Sequence, residues 1–145
     1  MQKSIIFSLL IVCIGAIVAA GCTSTGSTNA TTQATTAPNI TGTWTGTMQG
    51  YDEGTGFTDY NGETISIVVA EQHDRIFSGK LIFESNGTEQ SEDIAGTIGR
   101  DGRTLTLVEK SGYSSGIIVS DNEIELTYMD DGPQFTTAVD SLMKV

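Results

Sequence analysis

Few side chains in this sequence have the chemistry to cut, transfer or coordinate, and their spacing limits what they can do. His73 is the single histidine, and it falls in the polar stretch His73-Asp74-Arg75 between two apolar-alternating runs. A catalytic triad needs a nucleophile and an orienting acid around its imidazole, and a zinc site needs further nitrogen or sulfur ligands. Neither pattern surrounds His73, which reads as a solvated turn residue. Asp52-Glu53 and Asp130-Asp131 are adjacent carboxylate pairs beside glycine-containing turns. A calcium loop instead spaces its acidic ligands at alternate positions over roughly a dozen residues. Solvated loop charge is therefore the expectation for both pairs. No phosphate-cradling glycine loop, nucleophile elbow or Cys-x-x-Cys occurs. The sequence predicts no catalytic residue, no metal site and no cofactor, in a chain that is not an enzyme.

The two cysteines are Cys13 and Cys22. Met1-Gln2-Lys3-Ser4 supplies one positive charge, and sixteen uncharged, mostly apolar residues follow from Ile5 to Ala20. This order, closed by small residues, is that of a secretory signal peptide. A membrane-spanning helix needs about 20 apolar residues, so the run is short for that role. Ala19-Ala20-Gly21-Cys22 resembles the lipobox of prokaryotic lipoproteins, with Ala19 where that family usually carries Leu. The resemblance implies cleavage before Cys22, acylation of its thiol, and anchorage in the cell membrane on the extracytoplasmic face. Several acyl chains on one residue hold stably where a single chain does not. Cys13 would leave with the leader, so Cys22 has no disulfide partner.

Residues 1–21 thus read as leader and 22–38 as lipidated cysteine and linker, with 39–145 as one folded domain. Thr23 to Pro38 holds seven Thr and two Ser in sixteen residues, with no charge and no large apolar side chain. Such a segment buries too little surface to offset its ordering entropy and is predicted to be disordered. Asn29, Asn39 and Asn86 each begin an Asn-x-Thr sequon, the pattern of a glycosylation acceptor. The net charge is −11, and every Asp and Glu follows residue 50. An acidic body of this kind is repelled by phosphate backbones, which argues against nucleic acid as a partner.

From Gly42 onward the pattern is short period-two runs punctuated by Gly, Asn and Asp, the signature of half-buried strands joined by tight turns. Trp44, Gly46 and Met48 alternate with threonines, and Ile65, Ile67 and Val69 alternate with Thr64, Ser66 and Val68. Phe77, Gly79, Leu81 and Phe83 precede Asn86-Gly87, a strong two-residue hairpin signal. Ile94 and Ile98, then Leu105 and Leu107, mark two more strands. Gly116 to Val119, Ile124 to Tyr128 and Gln134 to Lys144 supply the last three. Eight strands with short connections are antiparallel neighbours, and they close readily into an up-and-down β-barrel. A two-sheet sandwich of the same strands is the alternative. The all-β expectation is an eight-stranded antiparallel barrel with an apolar lumen.

Ile40-Thr41-Gly42-Thr43-Trp44 resembles the first strand of the avidin and streptavidin barrels, and the glycine-rich strands are similar to the wider calycin group that includes lipocalins. In specific motif the resemblance covers the first strand alone. It implies that Trp44 is a structural plug at the barrel floor. The biotin site is not implied, because Thr45-Gly46-Thr47-Met48 replaces the family's polar ligand-contacting side chains and Trp44 is the only tryptophan.

Tyr51, Phe57, Tyr60 and Tyr113 fall in or beside the longest loop, Gly50 to Gly62, and the turn before the sixth strand. Loops at a barrel mouth commonly carry binding, and tyrosine offers a rigid surface with a polar tip. They are the candidate ligand-binding residues, or else part of the core closing one barrel end. Two functions follow as expectations. The first is an anchored module holding a small apolar ligand in or at its lumen. The alternative is a surface interaction protein (an inhibitor, adhesion element or accessory subunit) that uses the barrel exterior over a packed lumen.

Overall fold

Alternating polar and apolar residues underlie the long strands of the folded body. In the computed structural model, residues 36–145 other than Asn86 are described. The leader, Cys22, nearly all of the threonine tract, and the sequons at Asn29 and Asn86 lie outside the described residues. Nine strands form: β1 (Gly42–Asp52), β2 (Gly56–Thr58), β3 (Thr64–His73), β4 (Ile76–Ser85), β5 (Thr88–Ile98), β6 (Thr104–Val108), β7 (Tyr113–Ser120), β8 (Glu123–Asp130) and β9 (Thr136–Lys144). Among the described residues one 3₁₀ turn forms, over Tyr60–Gly62.

From β3 to β9 each strand pairs antiparallel with the next, and β1 pairs with both β3 and β9. The β1–β9 ladder, from Trp44↔Lys144 to Asp52↔Thr136, closes the sheet on itself. Eight strands therefore make a closed antiparallel barrel rather than a sandwich. The ninth, β2, folds back onto Gly50–Asp52 and covers the part of β1 that β3 does not reach. The stretch expected as one loop from Gly50 is thus partly strand, because β1 runs on to Asp52. Bulges at Ala70 and Val119 shift the β3–β4 and β7–β8 registers and bend those strands around the barrel. A Cβ at Gly46 would collide with the Ser141 carbonyl of β9, so only glycine lets the two strands approach at this corner.

The inward phase of the eight barrel strands builds one core, entered by Ile40 and by Trp44 from β1: Ile65, Ile67 and Val69 from β3, Phe77 and Leu81 from β4, Ile94 and Ile98 from β5. Leu105 and Leu107 from β6, Ile118, Ile124 and Leu126 from β7 and β8, and Leu142 from β9 complete it. Full burial of such a side chain is worth roughly 1.5–3 kcal/mol, so this lumen is the main source of stability.

One end of the barrel is plugged. Trp44 is buried there, its Nε1 donating to the Ile40 carbonyl at 2.8 Å, with Lys144 Nζ 5.0 Å from the ring centroid. The chain enters across this end. Gln72 fastens it by accepting from the Ile40 N–H at 2.9 Å and donating to the Pro38 carbonyl at 2.8 Å. Only about 10 Å³ of space remains among these core side chains.

Candidate ligand-binding site

The opposite end is open. It is built from the C-terminal halves of β1, β4, β6 and β8 and the N-terminal halves of β3, β5 and β9. There the barrel holds a cavity of about 360 Å³. Met48, Ile65, Leu81 and Phe83 give it an apolar wall. Six carboxylates also line it: Asp52, Glu63, Glu84, Glu92, Glu109 and Asp140. Among the described residues lining the cavity there is no Lys, Arg or His.

Asp140 is the unusual member. On β9 the inward phase runs Ala138, Asp140, Leu142, and Asp140 pairs across to Met48 on β1 and Leu126 on β8. The side chain is consequently sunk in the lumen, with 3% of the residue exposed. Its Oδ1 has no hydrogen-bond partner. Burial, reinforced by the nearby Glu109 carboxylate, pushes its pKa from 3.8 up to about 7. Glu109 is also raised, first by burial and further by Glu92, while the 2.6 Å hydrogen bond donated by Ser114 Oγ opposes the rise.

Two tyrosines face these acids. Tyr60 sits on the 3₁₀ turn with a left-handed backbone (φ 50°), and its hydroxyl donates to Asp52 Oδ1 at 3.1 Å. Burial and Asp52 lift its phenol to about 12. Gly50 makes this placement feasible, since a Cβ there would lie 2.7 Å from the Tyr60 hydroxyl. Tyr128, on the inward phase of β8, is raised to about 12 by burial and then by Asp130, Glu109 and Glu92. Both phenols are therefore neutral donors at physiological pH.

All four aromatic residues singled out in the sequence lie near this open end, but only Tyr60 turns into the cavity. Tyr51 is on the outward phase of β1. It meets Phe57 edge-on at 5.2 Å between ring centroids and stacks on Phe135 at 6.1 Å. Phe57 is 91% exposed, and Tyr113 points outward from β7. His73 sits at the plugged end, exposed, with Nε2 2.7 Å from Glu71 Oε1, so it is remote from the cavity acids. Of the adjacent acid pairs, Asp52 serves Tyr60, and Asp130 Oδ1 accepts from the Gly132 N–H at 2.8 Å in the β8–β9 turn. Asp140, Glu109 and Tyr128 have no motif of their own. For Asp140, the alternation Ala138-x-Asp140-x-Leu142 is no more than a hint, and the register with Met48 and Leu126 is what turns that phase inward.

No family model matches the chain, and no curated protein matches it. Among solved structures it is similar to a redesigned β-barrel, at 12% identity and a TM-score of 0.52, covering 73% of this chain and 91% of that one. At that identity the likeness is one of fold: an eight-stranded antiparallel barrel.

Proposed function

We propose that this chain is a membrane-anchored, extracytoplasmic lipoprotein whose barrel binds a small molecule in its open end and performs no catalysis. The observation that carries the reading is the asymmetry of the lumen. One half is packed down to about 10 Å³ of residual space, whereas the other keeps about 360 Å³. A barrel of this size either fills itself with side chains or holds one small ligand. A packed half gives the stability that an unfilled half costs, which is the division expected of a container. The anchor rests on the leader, the small residues before Cys22 and the threonine-rich tract that separates Cys22 from the first strand. The acidic lining disfavours polyanions, nucleic acid among them.

The test is a methyl-resolved NMR titration of the chain with hexanol and hexylammonium as probes. Shifts centred on the Met48, Ile65 and Leu81 methyls, lost when Ala138→Trp fills the cavity, support the reading. Shifts confined to the outer wall, unaffected by Ala138→Trp, refute it.

A second reading has one observation in its favour. Tyr51, Phe57 and Phe135 form an aromatic cluster on the outer wall at the open end. An exposed cluster of this kind suits a protein contact, as an interaction or accessory function would require.

A further inference from the structure

The cavity's charge pattern identifies a ligand class. Six carboxylates face a space with an apolar wall, and no cationic side chain among the described residues lines it. Mouth acids alone would be ordinary solvated charge. Asp140 is different, because it is buried to 97%, its Oδ1 has no partner, and it is the innermost β9 residue lining the space. A buried carboxylate without a partner is costly, and evolution of a merely packed lumen would favour an aliphatic side chain like its neighbours Ala138 and Leu142.

The groups facing Asp140 do not relieve it. On β1 its cross-strand neighbour is Met48, with Asp52 farther up the same phase. On β8 the neighbours are Leu126 and the neutral phenol of Tyr128, and the 3₁₀ turn adds the phenol of Tyr60. From β5 comes Glu92, and from the turn after β6 comes Glu109, while Glu63 and Glu84 stand at the mouth. Every charge in view is negative. Burial among these acids raises the Asp140 carboxyl from its ordinary range to about 7.

Resting on the reading of the lumen as a ligand site, we propose that the ligand is a small organic ammonium with an apolar body, and that its charged head replaces the proton on Asp140. The head meets the Asp140 carboxylate, and the body lies against Ile65, Leu81 and Phe83. The outer acids draw the cation in. No bond is made or broken in the ligand; the Asp140 proton leaves to solvent as the ammonium enters. The apolar wall favours an organic cation over a metal ion. In addition, no three His, Cys, Asp or Glu side chains converge to hold a metal among the described residues.

The experiment is calorimetry on the full chain in nanodiscs of zwitterionic lipid, with empty nanodiscs as blank. The probes are hexylammonium, hexanol and hexanoate. At pH 8 hexylammonium is expected to bind roughly ten- to hundredfold more tightly than hexanol, the worth of one hydrogen bond to a charged group, and hexanoate least. At pH 6, buffers of different ionisation enthalpy should report release of up to about one proton per hexylammonium bound, and at pH 9 none. Asp140→Asn should erase the preference for hexylammonium while leaving hexanol binding in place. The proton count needs no variant, so a misfolded Asp140→Asn would not blunt the test. Equal binding of hexylammonium and hexanol, or no proton release at pH 6, overturns the ammonium assignment alone. Failure of all three probes overturns the lumen reading beneath it as well.

Discussion

Replacing Asp140 by Asn removes a buried charge at nearly constant volume, and its effect on stability follows from the geometry. The carboxyl has a folded-state pKa of about 7 against an ordinary value of 3.8. The folded state therefore holds the proton between these values while the unfolded chain has lost it. Stability must then fall as pH rises from about 4 to about 7 and level off above, because the folded state binds more protons throughout that window. At roughly 1.4 kcal/mol per pH unit, the full interval amounts to about 4 kcal/mol. Water in the open cavity and the coupling to Glu109 bring the expected value to about 2–4 kcal/mol. Asn carries no such penalty. Asp140→Asn should match the parent at pH 4 and exceed it by that amount at pH 8, in urea unfolding followed by the fluorescence of buried Trp44. A difference between the two proteins that stays constant from pH 4 to pH 8 would mean that Asp140 titrates like a solvated residue, and the reasoning would fail.

Other expectations follow from the same geometry. Tyr60→Phe loses the hydrogen bond to Asp52 and should cost about 1 kcal/mol in thermal unfolding, while removing one phenol that titrates near pH 12 in the ultraviolet spectrum. Because that phenol is raised, its stabilising contribution is full below pH 10, and the parent should lose it as pH climbs from 10 toward 12. Leu142→Ala, at a fully buried site beneath the cavity, should cost about 2–5 kcal/mol, measurable as a lower urea midpoint at unchanged slope. Gly50→Val should displace the Tyr60 hydroxyl and lower the melting temperature, at a cost of about 1–3 kcal/mol. Cys22→Ala should move the chain from the detergent phase to the aqueous phase on phase separation, and unchanged partitioning would remove the lipid anchor from the proposal.

The barrel was legible because its buried strands obey a simple rule. Ile65, Ile67 and Val69, Phe77 and Leu81, and Ile124 and Leu126 alternate with polar residues, and each set faces the lumen. Trp44 is buried at the plugged end, with its Nε1 donating to the Ile40 carbonyl. The aromatic residues near the mouth were harder to orient. Patterning places Tyr51 in or beside the Gly50 to Gly62 loop, yet β1 continues through Asp52 and its phase turns Tyr51 outward. The short strand β2 then carries Phe57 to the outside as well. Tyr60 turns inward because of a left-handed backbone at Tyr60 and Asn61, which side-chain patterning does not encode. Asp140 is the clearest limit. A carboxylate in a segment rich in polar residues reads as solvent-facing until the register with Met48 and Leu126 fixes its phase.

The way the chain joins the barrel has a practical corollary. Ala37 to Ile40 run in across the plugged end, and the Val145 N–H donates to the Thr43 carbonyl at 3.0 Å on that same side. Anything fused before Ala37 or after Val145 thus emerges at the back of the vessel and leaves its lip clear.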